Sequence, residues 1–272
     1  DSTSSRGLGD VYKRQHYMNL FDLSGKVALI TGSSRGIGKS IAQQMAAHGA
    51  RVVISSRKAP ACEEVANAIN AEHGEGTAIA VAASISSKED LQRLVKTTNE
   101  QLGEVDILVC NAASNPYYGP MEGIADEQFE KILSNNIISN HWLVQQVAPG
   151  MRNRKEGAII IVSSIGGMIG STTIGAYNIS KAADFQLARN LAAEFGVDNV
   201  RVNCIAPGLI KTDFARALWE DPKNLELVTA TAPLKRIGLP EEVAGAAVFL
   251  AAPAGNFITG QSIVVDGGVT SV

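Results

Sequence analysis

From Lys26 onward, short β-branched runs alternate with helix-length amphipathic segments, and this alternation limits the fold more than any other feature. Residues 27–30, 51–54, 77–81, 105–109, 158–162, 200–205 and 262–265 read as strands. Several are apolar throughout, as strands covered on both faces are. Between them, 37–48, 61–71, 88–102, 127–147, 177–195 and 241–251 carry a helical period; Ile37, Ile41, Met45 and Ala46 share one face of the first. Repeated strand–helix alternation predicts a doubly wound parallel sheet of seven strands, with right-handed crossovers and helices on both faces.

A chain of 272 residues with 45% hydrophobic content can bury such a core. No Pro/Ser-rich linker or internal repeat divides it, so 23–272 is expected to form one domain. The stretch 206–239 is rich in turn residues (Pro207, Gly208, Pro222, Pro233, Gly238, Pro240) and is expected to be a substrate lid. Residues 1–22 look foreign to the rest. They have neither apolar period, read as a tag-like or sequence-assembly remnant, and are expected to be disordered.

Composition excludes several classes. A net charge of −3 with dispersed Lys and Arg gives no footprint for nucleic acid or an anionic membrane. No apolar run is long enough to span a bilayer. Cys62, Cys110 and Cys204 are far apart, and His16, His48, His73 and His141 form no ligand spacing, so no metal is expected. Reduced thiols and no targeting signal make the cytoplasm the default compartment.

The first strand runs into Thr31-Gly32-Ser33-Ser34-Arg35-Gly36-Ile37-Gly38-Lys39-Ser40 and then a helix. Glycines there let the backbone approach a diphosphate, whose charge meets the helix N-terminus. A P-loop needs four residues between Gly32 and a Gly-Lys-Ser; here there are five. The G-x-S-x-G of Gly32–Gly36 fits a nucleophile elbow, but no histidine follows His141 to complete a hydrolase triad. A turn that is glycine-rich by chance is the remaining alternative. Its place in a strand–helix–strand unit favours Gly32, Ser34, Arg35, Gly36, Ile37 and Gly38 as a dinucleotide cradle.

After the fifth strand stands Tyr177-Asn178-Ile179-Ser180-Lys181. Residues at i and i+4 share a helix face, so the Lys181 ammonium can favour the Tyr177 phenolate, which suits an acid that protonates a carbonyl oxygen. Ser164 closes that strand thirteen residues earlier, before a loop with Gly166, Gly167 and Gly170. A strand-end serine is also an ordinary turn or cap residue.

Taken together, Gly32-x-x-x-Gly36-x-Gly38, Asn111-Ala112-Ala113, Ser164, Tyr177-x-x-x-Lys181 and Pro207-Gly208 resemble the short-chain dehydrogenase/reductase family, whose fold is a single-domain Rossmann fold. The resemblance spans 26–268. It implies Tyr177 as general acid/base, Ser164 as hydrogen-bond partner of the substrate oxygen, and Lys181 on the nicotinamide ribose. It further implies that Asn136 holds a water of a proton relay and that Asn111 and Ala112 flank the cofactor. Pro207, Gly208, Ile210 and Thr212 would meet the nicotinamide. Two departures stand out: Cys110-Asn111-Ala112-Ala113 replaces the family's Asn-Asn-Ala-Gly, and Ser84 stands where an aspartate usually meets the adenine.

An NAD site wants a carboxylate after the second strand; here Ser56 is followed by Arg57 and Lys58, and Arg35 lies on the glycine turn. Two guanidiniums suit a 2′-phosphate, so NADP(H) is expected. The alternative is that Arg57 and Lys58 are ordinary solvated charges. Two stretches, 111–119 and 208–219, are similar to a narrower branch of the family, the NADPH-dependent carbonyl and retinal reductases of the member 4 type. The expected reaction is reduction of a ketone or aldehyde, or oxidation of the matching alcohol. Ser114, Asn115, Tyr117, Tyr118, Phe214, Leu218 and Trp219 are candidate pocket residues, Trp219 equally a subunit contact. Rival readings are a 3-oxoacyl-[acyl-carrier-protein] reductase, docking its carrier through Arg152, Arg154 and Lys155, and a non-catalytic nucleotide-binding scaffold. The resemblance also implies a homotetramer, with 260–268 as the last-strand signature near a subunit interface.

Overall fold

A computed structural model describes residues 19–272. The strands are β1 (Val27–Thr31), β2 (Arg51–Ser55), β3 (Ala78–Ala80), β4 (Ile107–Cys110), β5 (Gly157–Val162), β6 (Val200–Pro207) and β7 (Ser262–Val265). They form one seven-stranded sheet in the order β3-β2-β1-β4-β5-β6-β7. Every pairing is parallel. The order reverses between β1 and β4, so the crevice at their C-terminal ends is where an open α/β sheet takes a ligand.

Alternation along each strand feeds two separate cores. Val27 and Leu29 point to one face, against α3 (Lys88–Gln101), α5 (Ser139–Arg154) and α6 (Gly175–Phe195). Ala28 and Ile30 point to the other, against α1 (Gly36–Ala47), α2 (Ala59–His73) and α9 (Pro240–Ala251). Fully covering a side chain such as Leu29 or Ile30 contributes about 1.5–3 kcal/mol, which anchors β1 and hence the turn that leaves it. This is the doubly wound Rossmann architecture the alternation predicts.

The boundaries differ where polar groups intervene. The single helix expected over 127–147 is α4 (Asp126–Leu133), a π-helical turn over Ser134–Ile138, and then α5. The wide turn places the buried amides of Asn135 and Asn136 inside the protein, where an apolar stripe would have been interrupted. In 206–239, Lys211 N–H donates to Gly238 at 2.9 Å and Gly238 N–H to Leu209 at 3.0 Å, closing the base of the excursion. Beyond that base lie α7 (Arg216–Trp219) and α8 (Pro222–Thr231), so the turn-rich stretch is partly helical. Asp221 starts α8 by accepting from the Lys223 N–H at 2.8 Å, ahead of Pro222 in its first turn.

The expectation of disorder for 1–22 falls mostly on residues 1–18, outside the described residues. Of the remainder, the Leu20 carbonyl accepts from Ala254 N–H at 2.8 Å, beside a buried Leu23. Among the described residues no helix is long and apolar enough to cross a membrane.

Candidate active site

The parallel sheet gathers the C-terminal ends of β1, β2, β4, β5 and β6 along one edge. This brings the glycine turn, Ser56–Arg57, Asn111–Ala112, Ser164 and Pro207–Gly208 to the same side of the molecule.

The glycines have distinct reasons. Gly32 and Gly36 adopt φ of +65° and +55°, backbone that L side chains rarely enter. Gly38 has ordinary φ, but a Cβ there would strike the Gly32 carbonyl and lie 2.5 Å from Asn111 Nδ2. Asn111 stitches the turn to β4: its Nδ2 donates to the carbonyls of Thr31 (2.9 Å) and Gly32 (3.2 Å). Thr31 Oγ1 accepts from the N–H groups of Asn111 and Ala112, both at 3.1 Å. Ser33 completes the brace, donating to Ile30 at 2.7 Å and accepting from Ser55 N–H at 2.9 Å. Asn111 and Ala112 therefore shape the cradle as well as border it.

The N-terminus of α1 has no side-chain cap and no acid in its first turn. Its N–H groups are left to meet an anion, as a diphosphate requires. Arg35 and Arg57 are exposed at this end, and Ser56, which stands where a carboxylate would hold a ribose diol, has its Oγ 3.1 Å from Cys62 Sγ. Arg35 lies 3.9 Å from Asp213 Oδ2, across from the start of the excursion. Thr212 faces Gly36, its Cγ2 3.3 Å from where a Cβ would stand, and Ile210 is buried beside it. Gly208 packs on Asp266, which leaves 2.9 Å for a Cβ.

Ser164 and Tyr177 are both half-buried, at the end of β5 and in the first turn of α6. Ser164 Oγ accepts from Gly166 N–H at 3.0 Å, which orients its hydroxyl. Lys181 is buried, with its ammonium 5.7 Å from the Tyr177 ring centroid. It donates to the Val162 carbonyl at 3.0 Å and to Asp184 Oδ2 at 3.1 Å. Asp184 is 0% exposed and also accepts from Asn140 Nδ2 at 3.2 Å. Burial pushes the Asp184 carboxyl above its ordinary range, partly opposed by Lys181. Burial pulls against the Lys181 ammonium, but the Asp184 carboxylate, with smaller contributions from Tyr177 and Cys204, offsets this and raises it. The direction that follows for the pair is a charged lysine.

Asn136 sits in the π turn, completely buried. Its Oδ1 accepts from Ser114 N–H at 2.8 Å, and its Nδ2 donates to the Ser114 carbonyl (3.1 Å) and to Ser180 Oγ (2.9 Å). Its own carbonyl accepts from Asn140 Nδ2 at 2.7 Å. The side chain's visible work is to lock the loop after β4 onto α6.

Phe214, exposed, tilts over the Tyr177 ring at 6.2 Å between centroids. Tyr118 is exposed nearby in sequence, while the Tyr117 hydroxyl donates to the Pro120 carbonyl at 2.7 Å. Trp219 Nε1 donates to the Thr212 carbonyl at 2.9 Å, so it braces the excursion from within. Arg152 pairs with Asp198 at 2.6 Å, and Arg154 with Glu104. Both arginines lie near the C-terminus of α5, at the edge opposite Ser164 and Tyr177. Among the described residues no cluster of three His, Cys, Asp or Glu could hold a metal.

Sequence reasoning missed Asp184, Asn140 and Ser180, which surround the named residues. Asp184 carried a readable signal: a charge three residues after Lys181, on the helix face occupied by Phe185 and Ala188.

Known proteins share this fold. A family model described as Enoyl-(Acyl carrier protein) reductase matches residues 32–270. The chain is 44% identical over 250 residues to dehydrogenase/reductase SDR family member 4 of Bos taurus, covering 92% of this chain and 88% of the relative. Among solved structures, a gluconate 5-dehydrogenase from Burkholderia cenocepacia, in complex with NADP and tartrate, superposes with a TM-score of 0.89 at 30% identity, covering 94% of this chain and all of that one. The RhlG/NADP complex of Pseudomonas aeruginosa gives 0.86 at 37% identity, with 92% and 98% coverage. By its matched length, its motifs and its fold, the chain belongs to the short-chain dehydrogenase/reductase family of oxidoreductases.

Proposed function

We propose that the protein is an NADP(H)-dependent carbonyl reductase, interconverting a small-molecule ketone or aldehyde with its alcohol. The observation that carries this reading is the placement of Tyr177 over a buried Lys181 on the sheet edge shared with Ser164 and the glycine turn. The cradle fits a dinucleotide, because Gly38 lets the turn close tightly on Gly32 and Asn111 and the α1 N-terminus is uncapped. Gly32, Ser34, Arg35, Gly36, Ile37 and Gly38 would take the diphosphate end, with Asn111 and Ala112 beside them. Lys181 and Tyr177 would take the nicotinamide ribose, and Pro207, Gly208, Ile210 and Thr212 the ring. When bound, the nicotinamide supplies or accepts the hydride.

The chain's own residues manage the oxygen. The Tyr177 hydroxyl donates its proton to the substrate oxygen during reduction and recovers it during oxidation. Ser164 Oγ donates a hydrogen bond to the same oxygen, stabilising the charge that develops there. Lys181 favours the phenolate left on Tyr177. Asn136 keeps the loop after β4 against α6, and we assign to it the holding of a water of the proton relay.

NADP(H) over NAD(H) is supported by Arg35 and Arg57 and by a serine in place of the carboxylate at Ser56. The similar Burkholderia and Pseudomonas structures both hold NADP. The likeness to a dehydrogenase/reductase supports chemistry at a C=O/CH–OH pair, and Phe214 beside Tyr177 favours an apolar substrate. The excursion after β6 is the lid of this site. Docking of an acyl carrier through Arg152 and Arg154 is disfavoured by their carboxylate partners and their distance from the site edge. Three buried free cysteines suit a reducing compartment such as the cytoplasm. A homotetramer is our reading of assembly, with β7 at the open edge of the sheet contributing; light scattering that returned a monomer would contradict it.

The test is NADPH oxidation over a panel of ketones and aldehydes, with NADH run in parallel. Turnover of apolar carbonyls with NADPH is expected. NADPH binding without turnover of any carbonyl would favour the scaffold reading instead.

A further inference from the structure

The feature that the proton-transfer scheme does not use is a second charge in the site. Asp184 is wholly enclosed, and its side chain has 0% exposure against 3% for Lys181. A lysine taken out of water loses its proton readily, because burial penalises the charged form. An enclosed carboxylate is equally unfavourable alone. Here the two charges meet at 3.1 Å, and their further partners are neutral: the Val162 carbonyl for Lys181, the Asn140 amide and the Ser163 hydroxyl for Asp184.

We propose that Asp184 is the positioning residue of this site: its carboxylate keeps Lys181 charged and anchored beneath Tyr177. The geometry assigns two of the three ammonium protons to fixed acceptors, Val162 and Asp184, and leaves the third for a ligand. Other groups packed around the pair do not supply the compensating charge. On α6 the titratable neighbour is Tyr177. From β6 comes Cys204, and from β4 Cys110; burial pushes both thiols far up, which leaves them neutral. From the end of β5 comes the Val162 carbonyl, from the residue after it the Ser163 hydroxyl, and from α5 the Asn140 amide, all uncharged. Arg189, further along α6, is exposed and bonds to Gln186. Asp184 is thus the only acid within bonding distance of Lys181 among the described residues.

This inference rests on the oxidoreductase reading for its purpose but not for its test. Protein carrying isotope-labelled lysine is titrated by NMR, and the Lys181 signal is identified by its loss in Lys181→Met. In the unaltered protein the signal should be that of an ammonium through neutral and mildly alkaline pH. In Asp184→Asn, which keeps the shape and an acceptor oxygen, the ammonium should lose its proton at least about two pH units earlier, in line with the size of burial effects on lysine. The alkaline limb of kcat should move down with it, whereas a purely structural role would lower Tm without moving the limb. A neutral Lys181 at pH 7 in the unaltered protein would overturn the proposal, whatever the fate of the variant. So would a folded Asp184→Asn protein whose lysine titrates unchanged. Absence of carbonyl turnover would overturn the proposed function alone, since the NMR readout needs no substrate.

Discussion

The Lys181 ammonium lies 5.7 Å from the centre of the Tyr177 ring, one helical turn along α6, and is held there from below by β5 and by Asp184. The pair is built into the helix rather than assembled from a mobile loop. Lys181→Met should therefore do two separable kinds of damage. Turnover should fall by roughly 100-fold or more, the usual scale of acid–base assistance. Stability should also fall, by about 3–5 kcal/mol, because Asp184 is left as an uncompensated buried charge. Lys181→Met combined with Asp184→Leu should recover most of the stability, measured by denaturant unfolding, while activity stays lost. Equal stability of the single and double variants would refute the ion pair's role.

Cofactor choice should reside in two exposed guanidiniums. Each charge-assisted hydrogen bond to a phosphate is worth about 1.5–3 kcal/mol, and solvent exposure of Arg35 and Arg57 places them toward the low end. Replacing both by alanine should lower kcat/KM for NADPH by about 100-fold, at roughly 1.4 kcal/mol per tenfold. The value for NADH should change by no more than about twofold, since its ribose carries no phosphate for these residues to hold. Parallel steady-state assays with the two cofactors decide it; an equal loss with both would point to a general effect on the cradle.

The glycine turn makes a sharper structural prediction. A methyl group at position 38 meets backbone at Gly32 and the Asn111 amide, neither of which is free to retreat. Gly38→Ala should cost about 1–3 kcal/mol, as overpacking does, and weaken NADPH binding in a fluorescence titration. Normal affinity in that variant would show that the turn is not the cradle.

Much of the fold is legible in the sequence. Continuous apolar strands and helical periods suffice for the doubly wound sheet, because central strands such as β1 are buried on both faces. Tyr177 and Lys181 are legible because a spacing of four is a contact in a helix. Asp184 is not, because its meaning depends on Asn140 and β5 closing over it, and those contacts join residues far apart in the chain. The π turn at Ser134–Ile138 is also hidden: its apolar period continues into both neighbouring helices, and only the burial of Asn135 and Asn136 reveals the extra residue. The excursion after β6 is recognisable by its turn residues, yet Asp221-Pro222 starts a ten-residue helix within it. A start signal of acid followed by proline is present and is outweighed by the surrounding prolines and glycines.

The most direct measurement concerns a single oxygen atom. Tyr177→Phe removes the hydroxyl and leaves the ring that meets Phe214. With Tyr177 as the proton donor, kcat for an apolar ketone with NADPH falls by about 10²–10⁴-fold in this variant, while Tm and the NADPH dissociation constant stay close to those of the unaltered protein. An unchanged kcat in the folded variant would contradict that role.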